Sequence, residues 1–366
     1  EASPGPDVRR EPAKPLSVGL LVPGSGVLSA DWSAAARLAA DALADRAPMD
    51  LAVFPTGPSD GGAVTAGDAA LGAGVDVIVG PAFGATAVAK RARRQSVPVF
   101  ALSEAGARSE RVAGTLYHLD PGQGAAAAKV LEALAGFGVA RAVVLAPQGP
   151  VGTAEADAVV KAAPRFGVEV GGAGRYPQSA QAMVERAPAI GATIRDANAS
   201  VAIFTGAPSG SLAFLAETLR AQPGLAPLQF AGLSDWSLNR SLLGQPALQG
   251  AIFAGPAPEL SRAFRERFVA ATGRQPHPRA GLAFDAVAAI GALVVEARET
   301  GSATPFQPRR IAAPSGFVGV GGPFRFDRSG ANDRALAIFQ ATRGQAVVVE
   351  PAPDRFGVET PEKEIA

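Results

Sequence analysis

Val75–Ala105, VDVIVGPAFGATAVAKRARRQSVPVFALSEA, decides how the rest of the chain is read. Val75–Val79 is a short run rich in β-branched residues that stops at Gly80-Pro81, the pattern of a buried strand closed by a turn. Gly84 to Arg94 places Ala and Val at helical spacing and ends in a basic turn, as a helix C-terminus prefers. Val97–Leu102 is a second apolar strand, followed by Ser103-Glu104. Strand, loop, helix, strand and loop form one right-handed βαβ unit. Both loops then emerge at the carboxyl edge of a parallel sheet, where open α/β folds bind ligands. The first loop feeds a helix N-terminus, whose free N–H groups suit a carboxylate or another anion.

Outward from that unit the chain repeats the theme. Leu16–Val22 is an apolar strand running into Pro23-Gly24-Ser25-Gly26, and Asp31 reads as the N-cap of an Ala-rich helix over Trp32–Arg46. Leu51–Phe54 reads as a strand and Gly62–Leu71 as a helix. Leu116–Leu119 leads through Asp120-Pro121-Gly122 into a helix over about 123–137. A second βα series opens at Arg141–Ala146, with helices at 153–166, 181–195 and 212–221. Its further strands are 168–170, 201–204 and 228–233, and a short helix begins near Asp235-Trp236. Gly250–Gly255 is another strand. Two helices follow, 261–272 and 279–300, the second after the breaker run Gln275-Pro276-His277-Pro278. Val318–Phe326 changes style, and Ala335–Thr342 with Gln345–Val349 alternate as a hairpin closed at Arg343-Gly344. The whole is α/β, two lobes with parallel-sheet cores.

Composition narrows the function classes. The 366 residues allow about two domains, and 48% hydrophobic with 18% charged residues describes chains that bury real cores. A net charge of +1 and the lack of a basic stripe with interleaved aromatics argue against nucleic acid as a partner. No apolar run approaches the ~20 residues of a membrane span. With no cysteine there are no disulfides, zinc–thiolate sites or thiol nucleophiles. Residues 1–15, EASPGPDVRREPAKP, read as a flexible Pro-rich leader. A chain beginning this way is expected to have followed a signal peptide, with a lipidated Cys before Glu1 as one form of attachment.

Laid out in this order, the chain resembles the type I periplasmic binding proteins, in the leucine/isoleucine/valine-binding branch. Three features carry the resemblance: the Val79-Gly80-Pro81 strand end with Val97-Pro98-Val99 after it; Phe284-Asp285-Ala286-Val287; and Gly319–Gly330, GVGGPFRFDRSG. It spans nearly everything from Leu16 to Val349. It implies two Rossmann-like lobes, 16–117 plus 257–318 and 121–250 plus 327–350, with a tail at 351–366. The implied hinge crossings lie near Tyr117–Asp120, Ala251–Pro256 and Gly319–Phe326, with ligand held by hinge closure. Gly80-Pro81-Ala82-Phe83 with Ala101-Leu102-Ser103 is also similar to the pattern of penicillin-binding-protein activators, lipoproteins of the same fold that contact cell-wall synthases. Fold alone does not choose between these functions.

The resemblance implies that the loop after the third strand presents hydroxyls and backbone N–H groups to a ligand carboxylate. Here that loop is Ala82-Phe83-Gly84-Ala85-Thr86, in which only Thr86 keeps a hydroxyl while Gly84 and Ala85 keep their amides. Phe83 either caps the cleft or packs. Ser103 and Glu104 stand at the next strand end, Glu104 as an ammonium acceptor or an exposed loop charge. Ser25 adds a donor from the first βα loop, and Trp32 either stacks on ligand or belongs to the core. In the second series Gln148 and Asp235-Trp236 follow strand ends; Asp235 binds ligand or N-caps its helix, and Trp236 faces the cleft. His118, at a crossing, is either a ligand contact or a hydrogen-bonded structural residue.

An enzyme lacks its inventory here. There are only two histidines, His118 and His277, no nucleophile elbow and no His pair for a metal. Gly24–Ser29 misses the third glycine of a dinucleotide fingerprint, and no P-loop is present. The expectation is a non-enzymatic exported protein with no cofactor and no metal. It would capture a small polar ligand, an amino acid or related carboxylate, and partner an ABC transporter's membrane subunits in the periplasm. The alternative is an activator-like lipoprotein whose partner is a cell-wall synthase.

Overall fold

The computed structural model describes residues 14–57, 59–106, 109–177, 179–207 and 209–356. Most of the N-terminal leader and the last ten residues therefore lie outside the described residues. The chain divides into two compact units. Unit 1 holds the described residues of Glu1–Asp120, Phe264–Gly319 and Arg325–Asn332; unit 2 holds those of Pro121–Ala263, Val320–Phe324 and Asp333–Ala366.

Unit 1 begins with β1 (Leu16–Pro23), α1 (Val27–Ala42), β2 (Met49–Thr56), α2 (Asp60–Gly72), β3 (Val77–Val79), α3 (Ala85–Ala92), β4 (Val99–Ala101) and β5 (Leu116–His118). Its five strands lie in the order β2-β1-β3-β4-β5 and every neighbouring pair is parallel. That order sets β1 between β2 and β3, so the chain winds outward on either side of it and the helices cover both faces. The inner strands β1, β3 and β4 are continuous apolar runs because both faces are buried; Val77, Ile78 and Val79 are inaccessible to solvent. One face packs Leu21, Ile78, Val99 and Leu116 against Ala66 and Ala70 of α2 and Val88, Ala89 and Ala92 of α3. Alanine on these helices lets them lie close to the sheet.

Unit 2 contains α4 (Gly122–Gly136), β6 (Arg141–Pro147), α5 (Pro150–Ala162), β7 (Glu169–Tyr176), α6 (Ala180–Asp196), β8 (Val201–Phe204), α7 (Gly210–Arg220), β9 (Gln229–Gly232), α8 (Arg240–Leu243) and β10 (Ile252–Gly255). Three further helices follow in the chain, α9 (Pro258–Thr272), α10 (Gly281–Glu299) and α11 (Pro308–Ile311). The strands β11 (Phe317–Gly319), β12 (Gly322–Phe326), β13 (Asn332–Arg334), β14 (Ala337–Thr342) and β15 (Gln345–Glu350) complete the chain, β11 in unit 1 and β14 and β15 in unit 2. The seven-stranded sheet runs β15-β14-β10-β9-β8-β6-β7, parallel from β10 to β7. The β14–β15 hairpin adds to it antiparallel. A three-stranded sheet has the order β11-β12-β13. One face of the large sheet carries aromatic side chains: Tyr176 on Phe204, Phe204 on Phe230, and Trp236 stacked on Phe253, which stacks on Phe339. The opposite face packs Val144, Ile203 and Ala231 against α4 and α5.

Several boundaries differ from the sequence reading for local reasons. Gly26, at φ 98°, caps α1 ahead of Asp31, which places Asp31 inside the helix. β7 runs through Gly171-Gly172 to Tyr176, because its pairing with β6 continues past glycines that blank the apolar pattern. The short helix after β9 starts at Arg240, capped by Asn239, whose Oδ1 accepts from Leu242 N at 3.0 Å.

Candidate functional site

The carboxyl edge of the unit 1 sheet is assembled from three loops and one distant side chain. β3 leads into Gly80, φ 95°, followed by a cis Gly80–Pro81 peptide. A side chain at Gly80 would both strain that φ and collide with Leu21 O, so the position requires glycine. The β3 loop is tied to the next: Gly80 N donates to Phe100 O at 2.8 Å and Leu102 N to Pro81 O at 3.1 Å. Gly84 caps α3 in the left-handed region, φ 69°. The first α3 hydrogen bonds run from Ala87 N and Val88 N to Gly84 O, which leaves the Ala85 and Thr86 amides outside the helix ladder. Ala85 itself is buried, Thr86 is half-buried, and Phe83 is 65% exposed. Phe83 therefore does not pack into the core. Ser25 is exposed in the loop between β1 and α1.

After β4, Leu102 O accepts a hydrogen bond from Arg279 Nη2 at 3.0 Å, and the same Nη2 pairs with Asp120 Oδ2 at 2.9 Å. Ser103 is half-buried and Glu104 exposed. Ser103 O and Oγ lie 3.2 and 3.4 Å from His118 Nδ1. The carbonyl can only accept, so Nδ1 carries the proton and neutral Nε2 is an acceptor without a partner among the described residues. His118 is buried, and its backbone N donates to Gly330 O at 2.8 Å. Burial lowers its pKa from the ordinary 6.5, against the opposing pull of the Ser103 hydrogen bond and of Asp120. The Ser103 bond fixes the ring against the loop after β4.

Of the two readings of Trp32, the structure places it in the core. It is fully buried and its Nε1 donates to Arg279 O at 2.8 Å. Asp31 does not cap α1 but pins the segment that follows α9: it accepts from His277 N at 2.7 Å and pairs with Arg274. His277 Nδ1 in turn accepts from Arg279 N at 3.1 Å. Arg279 is thus fixed at its amide, its carbonyl and its guanidinium. In the sequence it reads only as a helix start. The available signal was a charged residue between a breaker run and an apolar helix.

In unit 2, Gln148 is exposed after β6, its N donating to Tyr176 O at 2.9 Å. α5 begins right behind it, close enough that a side chain at Gly152 would collide with Pro147 O. After β9, Asp235 Oδ1 accepts from Ser237 N at 2.9 Å, closing a turn and not capping the helix. Trp236 is fully buried, its ring 5.2 Å from that of Phe253 and stacked on it, so it belongs to the core and not to an open edge. Thr205 and Tyr176 lie here without having been singled out by the sequence. Thr205 is buried after β8 with its Oγ1 unpartnered among the described residues. Tyr176 has its pKa pushed up to about 12, first by burial and then by Glu155. Among the described residues no cluster of three or more His, Cys, Asp or Glu could hold a metal, and no helix is long and apolar enough to cross a membrane.

The family profile described as periplasmic binding protein matches residues 15–346. The chain belongs to that family. This periplasmic binding protein shares its fold with a putative branched-chain amino acid ABC transporter protein from Rhodospirillum rubrum. The two are 19% identical, with a TM-score of 0.78, over 92% of this chain and 100% of that one. It is similar to a leucine-, isoleucine-, valine-, threonine- and alanine-binding protein from Brucella ovis in a closed conformation. There the identity is 16% and the TM-score 0.70, over 95% and 97% of the two chains. It is also similar to an ABC transporter solute-binding protein from R. palustris in complex with benzoate, at 18% identity and TM-score 0.60, over 94% and 98%. No curated protein sequence matches the chain. The two α/β units with parallel cores and membership in a family of periplasmic binding proteins, in place of an enzyme family, are thus shown. Membership implies an extracytoplasmic location.

Proposed function

We propose that this protein captures a small carboxylate, an amino acid or a related organic acid, in the periplasm by hinge closure and delivers it to an ABC importer. The observation that carries the reading is the unit 1 edge, where the amides of Ala85 and Thr86 at the start of α3 follow the exposed Phe83 across the single cap residue Gly84. Helix N-terminal amides favour an anion, and an exposed aromatic face suits the apolar part of the same ligand. The relatives support the reading, since solved structures of this fold are described with leucine and with benzoate. They weigh against the synthase-binding alternative.

A thermal-shift screen of the purified chain against leucine, valine, benzoate, short peptides and cell-wall fragments tests it. A ligand at 100 times its dissociation constant adds about 2.7 kcal/mol of stability. The expected result is a concentration-dependent rise with an acid, weakened by Thr86→Ala. Silence from every acid, with capture of a cell-wall synthase from membranes, would reverse the choice.

A further inference from the structure

Arg279, at the unit 1 edge, is 42% exposed in its side chain, yet both its backbone and its guanidinium are held. Its carbonyl accepts from Trp32, its amide donates to His277, and His277 is held in turn by buried Asp31. An ordinary surface ion pair contributes about 0–1 kcal/mol and does not require such anchoring. The guanidinium also remains incompletely used. It offers five N–H donors, and its bonds to Leu102 O and to Asp120 both leave from Nη2. Nε is buried without an acceptor among the described residues. A buried donor left unmade is unfavourable, and a planar carboxylate presents two oxygens at the spacing a guanidinium fork prefers.

The position of Arg279 points the same way. Leu102, which Arg279 touches, is the residue whose amide bonds Pro81 O at the head of the β3 loop. One hydrogen-bonded row thus runs from the loop that feeds α3, through the end of β4, to the guanidinium. The described loop residues 23–26, 80–85 and 102–106 at this sheet edge carry no cation, and their one acid is exposed Glu104; Asp120, after β5, is already paired with Arg279.

We propose that Arg279 is a specificity-determining residue that recognises the carboxylate of the solute, so that this protein selects small organic acids over their neutral amides. The assignment rests on the solute-binding reading and adds the group that reads the ligand's charge. Replacing the guanidinium with a neutral side chain removes a charged hydrogen-bonding partner, at roughly a 10- to 100-fold cost in affinity for the acid.

The test compares acid and amide probes by calorimetry on the full chain: L-leucine against L-leucinamide, and benzoate against benzamide. The expected result is that wild type prefers at least one acid to its amide, and that Arg279→Gln loses that preference by weakening the acid alone. Equal weakening of acid and amide would make Arg279 a structural clamp and overturn the inference while solute binding stands. So would an acid preference that survives the substitution. Wild-type protein that binds none of the four probes overturns the inference and the carboxylate reading together. Should Arg279→Gln fail to fold, Asp120→Asn removes the competing carboxylate while keeping the guanidinium. It is expected to bind the acid at least as tightly as wild type, and a loss of about 10-fold there, on the order set by one charged hydrogen bond, would also overturn the assignment.

Discussion

His118 sits where its surroundings favour one protonation state. Its Nδ1 proton points at Ser103 and its Nε2 has no partner among the described residues, so a second ring proton would be buried without an acceptor. Burial lowers the folded pKa below 6.5, with the Ser103 hydrogen bond and Asp120 opposing it. The unfolded ring therefore takes up a proton first as pH falls, and stability is lost below the unfolded value. The expected outcome is that the urea midpoint of wild type drops more between about pH 7.5 and about pH 5.5 than that of His118→Asn. Parallel drops in both proteins would remove His118 from the account. At this scale the sequence was legible for backbone-driven positions and opaque for aromatic ones. Gly80 and Gly84 announced themselves because glycine suits their positive φ. Trp32 and Trp236 did not, since a large side chain beside a strand end has the same local pattern whether it faces solvent or, as here, the core.

Elements are held by contacts that no local pattern reveals. The segment between α9 and α10 has no apolar periodicity, yet it is fastened to α1 by Asp31 through His277 N and Arg274, and by Trp32 through Arg279 O. Replacing Asp31 by Leu leaves His277 N without its acceptor and Arg274 without its partner. The carboxylate is fully buried but the guanidinium is 41% exposed, so the loss is discounted for solvent. A destabilisation of about 2–4 kcal/mol is expected from urea unfolding. A change below about 0.5 kcal/mol, the range of an ordinary surface substitution, would mean that the segment is held by its other contacts alone. The inner strands of the parallel sheets were legible because both faces are buried and the runs are continuous, whereas edge strand β7 was cut short at its glycines. Helix starts were less so. Asp31 has the composition of an N-cap, but Gly26 reaches the capping position first and the carboxylate is drawn into a tertiary role. The edge residue of most consequence, Arg279, is 177 residues from the Leu102 carbonyl it holds. Sequence spacing carries no trace of that pairing.

On the scale of the molecule, each unit has its own sheet, its own core and one tryptophan. Trp32 is buried in unit 1, and Trp236 is buried in the aromatic face of unit 2 against Phe253. The two βα series were readable as two lobes because each repeats strand and helix with its own apolar runs. Chains with two cores need not unfold in one transition, and a tryptophan in each core makes this measurable. Leu215 of α7 is inaccessible in the unit 2 core, and its truncation to Ala is expected to cost about 2–5 kcal/mol through reduced burial and the cavity left behind. The measurement places Leu215→Ala in a Trp32→Phe background, where only Trp236 reports, and in a Trp236→Phe background, where only Trp32 reports. Each is compared with its own Leu215 parent. The fluorescence midpoint reported by Trp236 is expected to fall further in denaturant than the one reported by Trp32. If both indoles report the same shift, the two cores unfold as one cooperative body and share a single stability.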